Sequence, residues 1–304
     1  MILVTGGCGF IGSHITDELI NKGHDVIVAD NLISGSMINL NPKAKFIKAD
    51  VTNIEQIEEI FSKYEIKAIC HHAAQISVAV SMERPQFDVN TNVIGIINLL
   101  QMCTKYSVKR FVFASSAAIY GNPEYLPIDE SHPLNPLSFY GLSKQMSEQC
   151  IRIYANNSNM TYGILRYANV YGPRQKAEGE GGVVAVFMNR MVSDQDCNIH
   201  GDGKQTRDFI YVKDIAKANV KALESNLNFT ANVSTNVYTD ISELFSAMKK
   251  QTGYTKQPIF TKPRKGDIKD SYLKNTVIND LLKWEPVYNL EKGLKETAKY
   301  FMNA

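Results

Sequence analysis

Short apolar runs alternate with amphipathic stretches along the first half of the chain. Ile2–Thr5, Asp25–Ala29, Lys45–Lys48, Ala68–His71, Arg110–Ser115 and Met160–Arg166 are four to seven residues long, mostly β-branched or aromatic, and flanked by turn or charged residues. Each reads as a strand. The stretches Gly12–Lys22, Ile54–Tyr64, Pro85–Tyr106 and Ser138–Asn156 repeat apolar positions at helical spacing. Strand–helix alternation predicts a doubly wound α/β fold, a parallel sheet of Rossmann type with helices on both faces.

Beyond Arg166 the pattern loosens. Asp214–Glu224, Ile241–Thr252, Thr276–Leu282 and Leu290–Met302 read as helices, and Pro173–Gly182 reads as a charged, Gly-rich loop that orders only when something binds. We expect a first domain over residues 1–166, with segments near 207–224 woven back into it, and a smaller α/β substrate-binding region over 167–304. No internal repeat or long linker interrupts the chain.

Composition narrows the class. Of 304 residues, 44% are hydrophobic and 21% charged, with a net charge of +2 from 33 basic and 31 acidic side chains well mixed along the chain. Neither a nucleic-acid-binding surface nor a membrane-binding face is expected from that balance. No stretch approaches the ~18 apolar residues of a membrane span, and no basic segment precedes an apolar one at the N-terminus. The five cysteines are scattered without a C-x-x-C pair, so reduced thiols in a cytoplasmic protein are expected.

Candidate chemistry begins between the first strand and the first helix. In Thr5-Gly6-Gly7-Cys8-Gly9-Phe10-Ile11-Gly12, glycines at 6, 9 and 12 permit a tight turn, close backbone approach to a pyrophosphate and close packing of helix on strand. Asp30 ends the second strand about 20 residues on, where a carboxylate accepts hydrogen bonds from an adenosine ribose and repels a 2′-phosphate; Asn31 follows it. This predicts NAD as cofactor. For Asp50-Val51 two readings stay open, contact with the adenine or an exposed helix cap before Thr52.

Tyr140 and Lys144 are four apart, on one face of a predicted helix. A free phenol, with a pKa of ~10, is a poor base at neutral pH. A nearby ammonium and a positive nicotinamide ring both favour its phenolate. Ser115-Ser116 end the fifth strand, where open α/β sheets place their ligands. His71-His72 have no third ligand at metal spacing, so packing is the expectation and no metal site is assigned. Trp284 is expected in the core or at its edge.

These segments, with His72-Ala73-Ala74, Ser115–Gly121, Leu165–Arg174, Gly201-Asp202-Gly203, Thr206–Val212 and Arg264-Lys265-Gly266-Asp267, resemble the extended short-chain dehydrogenase/reductase family from end to end. Within it the chain is most similar to the UDP-glucose 4-epimerases and their N-acetylhexosamine-accepting relatives. The resemblance implies catalytic roles for Ser116, Tyr140 and Lys144, and a cofactor surface that includes Phe10, Ile11, Ala73, Ala74, Ser115 and Tyr167. Asn92 matches a structural or cofactor-side position. Asn169, Arg207, Arg264 and Asp267 fall where the family holds a nucleotide diphosphate and its ribose, as guanidinium and carboxylate chemistry suits. Without the resemblance, Arg207-Asp208 reads as a local ion pair and Arg264–Asp267 as a charged turn. Related dehydratases and decarboxylases carry acids just after the strand-end hydroxyl. Here Ala117 and Ala118 stand there, which points to hydride removal and return on a UDP-sugar without elimination. Ser271, counted on from Asp267, falls at a gate where a small side chain admits a C2 N-acetyl group. The resemblance also implies a homodimer through a four-helix bundle of Pro85–Tyr106 and Ser138–Asn156, against the alternative that those faces are covered within one chain.

Overall fold

The computed structural model describes residues 1–177, 182–263 and 268–303, so residues 178–181, 264–267 and 304 lie outside it. Strands β1 (Ile2–Thr5), β2 (Val26–Asp30), β3 (Lys45–Lys48), β4 (Ala68–His71), β5 (Arg110–Ser116) and β6 (Thr161–Tyr167) form a parallel sheet. Short strands follow, β7 (Asn169–Tyr171), β8 (Asn198–His200), β9 (Thr206–Arg207) and β10 (Phe209–Tyr211), then β11 (Phe229–Val233), which joins the large sheet beside β6. The order is β11-β6-β5-β4-β1-β2-β3. The order reverses at β1, leaving a crevice between the ends of β1 and β4, the usual ligand station of such a sheet.

The helices are α1 (Phe10–Asn21), α2 (Ile54–Lys63), α3 (Val78–Glu83), α4 (Pro85–Val89), α5 (Gly95–Lys105), α6 (Phe139–Asn156), α7 (Val183–Val192), α8 (Val212–Glu224), α9 (Ile241–Thr252), α10 (Thr276–Leu282) and α11 (Leu290–Asn303). Strand alternation divides the core into two layers. Leu3, Ile27, Ile69, Phe111 and Phe113 pack with Ile57, Ile96, Leu99 and Ile151 of α2, α5 and α6. Their neighbours Val4, Val28, Cys70 and Val112 pack on the other face with Ile15, Leu19, Ile215 and Trp284. Both faces being covered explains why these strands read as continuous apolar runs. A third core joins Phe187, Met188, Leu244, Met248 and Leu294 of α7, α9 and α11. Each such side chain stabilises the fold by about 1.5–3 kcal/mol.

Two expectations change here. The segment 85–106 is not one helix: a π turn over Asn90–Ile94 separates α4 from α5. Asn92, inside that turn, accepts from Gln75 N at 2.8 Å and donates to Gln75 O at 3.0 Å, drawing the helix toward the loop after β4. Such turns recur at functional sites. The loop from Pro173 is also already fixed in its described part. His14 Nε2 meets Pro173 O at 3.0 Å, Arg174 pairs with Asp17 at 2.8 Å, and Lys176 Nζ donates to Ser34 O at 2.8 Å. Three contacts to the first half of the chain hold this part, and residues 178–181 of the loop lie outside the described residues.

The remaining strands, β12 (Thr239–Asp240), β13 (Ile259–Thr261) and β14 (Asp270–Ser271), pair with β8 and β9 into two small sheets. Among the described residues, no helix is long and apolar enough to cross a membrane.

Candidate functional site

The glycine loop occupies the crevice at β1. Gly6 has φ +68°, and a Cβ placed on Gly12 would lie 2.2 Å from Gly6 O, so this turn closes only with glycine at both stations. Phe10 and Ile11 open α1 directly behind it. Asp30, at the end of β2, is buried. Its carboxylate accepts Cys8 N at 3.0 Å and Leu32 N at 2.8 Å, which orients it beside the loop. The cradle and the aimed carboxylate fit an adenosine diphosphate moiety. Asn31 Nδ2 donates to Asp50 Oδ2 at 2.9 Å, and Thr52 donates to Asp50 Oδ1 from both N and Oγ1. Partial burial pushes the Asp50 carboxyl up, but these hydrogen bonds outweigh it and hold the group below its ordinary value. Asp50 thus caps the turn at Thr52 and orients Asn31, while Asn53 is the residue that caps α2. Val51 is buried in the first core layer, its carbonyl accepting Asn98 Nδ2. Ala73 and Ala74 line the loop after β4, half-buried, where Ala73 N approaches Thr5 Oγ1 at 3.3 Å.

Ser116 ends β5, and its Oγ accepts Ala118 N at 3.1 Å. Ser138 caps α6 by accepting Gly141 N at 3.1 Å. A Cβ on Gly141 would lie 2.6 Å from Ala118 O, so glycine there lets the first turn of α6 press onto the end of β5. That approach brings the Tyr140 phenol beside the Ser116 hydroxyl, near enough for a hydrogen bond to favour its ionisation. One turn on, Lys144 is buried, its Nζ donating to Ala114 O at 2.9 Å and standing 5.8 Å from the Tyr140 ring centre. Burial lowers the ammonium to about 8, against the opposing charge of Asp88. Burial also pushes the Tyr140 phenol up, partly countered by the Ser116 hydrogen bond, with Asp88 adding to the rise. Without the positive nicotinamide ring, burial is thus the largest influence on the phenol, and it acts against the expected lowering.

Two expected cofactor residues face elsewhere. Ser115 lies on the same side of β5 as Phe113, and its hydroxyl donates to Glu148 Oε1 at 2.7 Å. Strand alternation, which sends neighbouring side chains to opposite faces, separates it from Ser116. Asn92 is buried, its amide spent on Gln75, Asp88 and Ser143 Oγ. Tyr167, ending β6, stacks on His72 and hydrogen-bonds His72 Nε2 at 3.0 Å and Asn219 Oδ1 at 2.9 Å. His71 Nδ1 meets Thr5 Oγ1 at 2.7 Å. Burial and the nearby Lys144 hold both histidines neutral, His72 near 3. Trp284 is in the core, its indole donating to Asp214 O at 3.2 Å.

A second cleft of about 340 Å³ opens between α7, β8 and β9, and brings Asn169 and Arg207 together with Arg190, His200 and Gln205. Arg207 Nη1 donates to Thr206 O at 2.7 Å. The Asp208 carboxylate is engaged with Thr235 and Asn236, and burial raises it to about 6 despite them. Ser271 pairs with Arg207 across β14 and β9. Arg190, His200 and Gln205 have no motif of their own; the amphipathic run Val183–Val192 was the available signal. Arg264 and Asp267 lie outside the described residues.

Comparison with known proteins follows the same lines. A profile of the NAD dependent epimerase/dehydratase family matches residues 2–237. The crystal structure of UDP-glucose 4-epimerase from Thermotoga maritima with UDP-glucose superposes with a TM-score of 0.97 at 45% identity, covering 99% of this chain and 98% of that one. The Thermus thermophilus UDP-glucose 4-epimerase complex with NAD gives 0.94 at 37% identity, covering 100% and 99%. UDP-N-acetylglucosamine 4-epimerase from Methanobrevibacter ruminantium, in complex with UDP-N-acetylmuramic acid, gives 0.94 at 34% identity, covering 99% and 98%.

Proposed function

The chain belongs to the NAD dependent epimerase/dehydratase family, and from that premise we propose that it is a UDP-hexose 4-epimerase, interconverting UDP-glucose and UDP-galactose with a bound NAD. One observation carries the reaction type. Ser116, Tyr140 and Lys144 gather at the end of β5, and the positions that follow Ser116 hold Ala117 and Ala118, which transfer no proton. A site that removes and returns hydrogen needs nothing more; an elimination needs further acids.

The dinucleotide, held by Gly6, Gly9, Phe10, Ile11, Gly12, Asp30 and Asn31, supplies an acceptor and then a donor of hydride for the sugar's C4. Tyr140 Oη takes the proton of the C4 hydroxyl as that carbon loses hydride and its oxygen becomes a carbonyl. Ser116 Oγ hydrogen-bonds the same oxygen, and Lys144 holds positive charge beside the phenol. The 4-keto sugar turns while Asn169 and Arg207 retain the nucleotide, with Arg264 and Asp267 assigned to the diphosphate and ribose. Tyr140 then returns its proton to the oxygen as hydride arrives on the opposite face. Residues 1–166, with 207–224 packed against them, serve the dinucleotide, and 167–304 mainly the nucleotide sugar.

The small Ser271 beside Arg207 supports acceptance of UDP-GlcNAc and UDP-GalNAc as well. Leu142, Met146 and Ile153 stand exposed along one face of α6, which supports a homodimer through α5 and α6. The cysteines are free, which supports a cytoplasmic, reducing setting.

The test is to release and identify the dinucleotide that co-purifies, then follow UDP-Glc and UDP-GlcNAc by NMR with no cofactor added. Formation of the C4 epimers is expected. Absence of either epimer rejects the epimerase, and a separate assay in which added NADH is consumed with a UDP-4-keto-hexose identifies a 4-keto-sugar reductase on the same scaffold.

A further inference from the structure

Asp88, in the last turns of α4, has no part in the steps above, yet it is fully buried. Its Oδ2 accepts Gln75 Nε2 at 2.8 Å and Asn92 Nδ2 at 3.2 Å. Its Oδ1 is sealed from solvent and meets no hydrogen-bond donor. A buried carboxylate in that state is costly and persists only if charge nearby stabilises it. Asn92 also donates to Ser143 Oγ at 3.0 Å, and Ser143 Oγ donates to Tyr140 O at 3.0 Å, so the acid is tied to the turn of α6 that carries Tyr140 and Lys144. α4 packs directly against α6, which puts the buried carboxylate behind the turn that carries both residues.

The other ionisable groups on the elements around α6 are already matched, neutral or distant. Glu148 is locked to Arg166 at 2.8 Å and to Arg152 at 3.0 Å. His71 and His72 are held neutral, and burial keeps Tyr120 and Tyr167 protonated. Glu83 and Arg84 face solvent, Arg110 bonds Ala222 O at the far end of β5, and Lys105 pairs with Glu58.

We propose that Asp88 is a positioning residue that acts as the counter-charge of the catalytic pair, holding Lys144 as an ammonium and opposing ionisation of Tyr140 unless another positive charge enters the site. Whole charges show the consequence. Asp88 and Lys144 cancel. Tyr140 as phenolate restores neutrality beside an oxidised, positively charged nicotinamide ring, and Tyr140 as phenol suits a reduced, uncharged one. The proton on Tyr140 therefore follows the redox state of the dinucleotide. A reaction that takes a proton and a hydride from one alcohol needs that coupling.

This inference rests on the reading of Tyr140 as proton acceptor, and its decisive test needs no sugar. Asp88→Asn removes the charge with little change of shape, and Asp88→Ser serves if Asp88→Asn fails to fold. The tyrosinate ultraviolet absorbance of the NAD-loaded protein is titrated with and without Tyr140→Phe, which isolates one phenol. In Asp88→Asn the Tyr140 midpoint is expected to fall by about one pH unit or more. Both limbs of the kcat–pH profile should move to lower pH together, since Lys144 also loses its proton sooner, and Asp88→Glu should return them toward their native positions. A Tyr140 midpoint that stays in place, with activity reduced at every pH alike, overturns the proposal.

Discussion

The crevice at the end of β1 and the cleft between α7, β8 and β9 are built by different means. In the crevice, backbone does most of the shaping: a glycine turn, a helix N-terminus, and Asp30 oriented by the amides of Cys8 and Leu32. The cleft is shaped by side chains from short, separate strands, with Asn169, Arg190, His200 and Arg207 brought in from four elements. Backbone geometry tolerates few alternatives, whereas a cleft of side chains can change its ligand by single substitutions. Damage to the first region should therefore be general, and damage to the second selective.

The largest effect is expected at Tyr140, which belongs to neither region's shaping groups. Tyr140→Phe should lower kcat by ~10²–10⁴-fold, the range of a lost acid–base group. The protein should still fold and retain NAD, as shown by its melting curve and by the dinucleotide released on denaturation. Near-normal turnover would remove Tyr140 from the mechanism. Next in size is Gly12→Ala. Its Cβ falls 2.2 Å from Gly6 O, so the loop must shift, at a cost of about 1–3 kcal/mol, and bound NAD should be lost whichever sugar is supplied. A variant that keeps its full complement of NAD would break the claim that backbone shapes this region.

In the cleft, Arg207→Ala should act on binding. Loss of one charge-assisted hydrogen bond, about 1.5–3 kcal/mol, raises KM for the UDP-sugar about tenfold or more while kcat holds. A fall in kcat with KM unchanged would place Arg207 in the chemistry instead. The smallest and most selective effect is expected from Ser271→Tyr, which should remove turnover of UDP-GlcNAc and spare UDP-Glc within about threefold, a steric difference of roughly 1 kcal/mol or less for the smaller sugar. Equal loss on both sugars would reject Ser271 as a gate.

The same contrast governs how much could be read from the chain. The glycine loop, Asp30 and the Tyr140–Lys144 spacing are local patterns whose geometry follows from strand and helix periodicity, and the structure has the first two at the ends of β1 and β2 and the pair on α6. Adjacency in sequence hides that Ser115 and Ser116, as neighbours on a strand, send their side chains to opposite faces. Asn92 was recognised as important, but its grip on Gln75 and the π turn it sits in depend on a loop 17 residues away. Asp88 gave no local signal, since its significance lies in being buried beside α6. Nor did Arg190, His200 and Gln205, which share a wall only once α7 and β8 are folded together.

By itself, the sequence determined the parallel sheet, the glycine loop at its reversal point and the four-residue spacing of Tyr140 and Lys144 on one helix, because short-range periodicity and backbone sterics set those features. Tertiary structure alone decided what surrounds that pair. Burial, the Ala114 carbonyl and the unpaired oxygen of Asp88 act through space from segments far apart in the chain, and electrostatic energy in a low-dielectric interior depends on distance and desolvation rather than on order along the sequence.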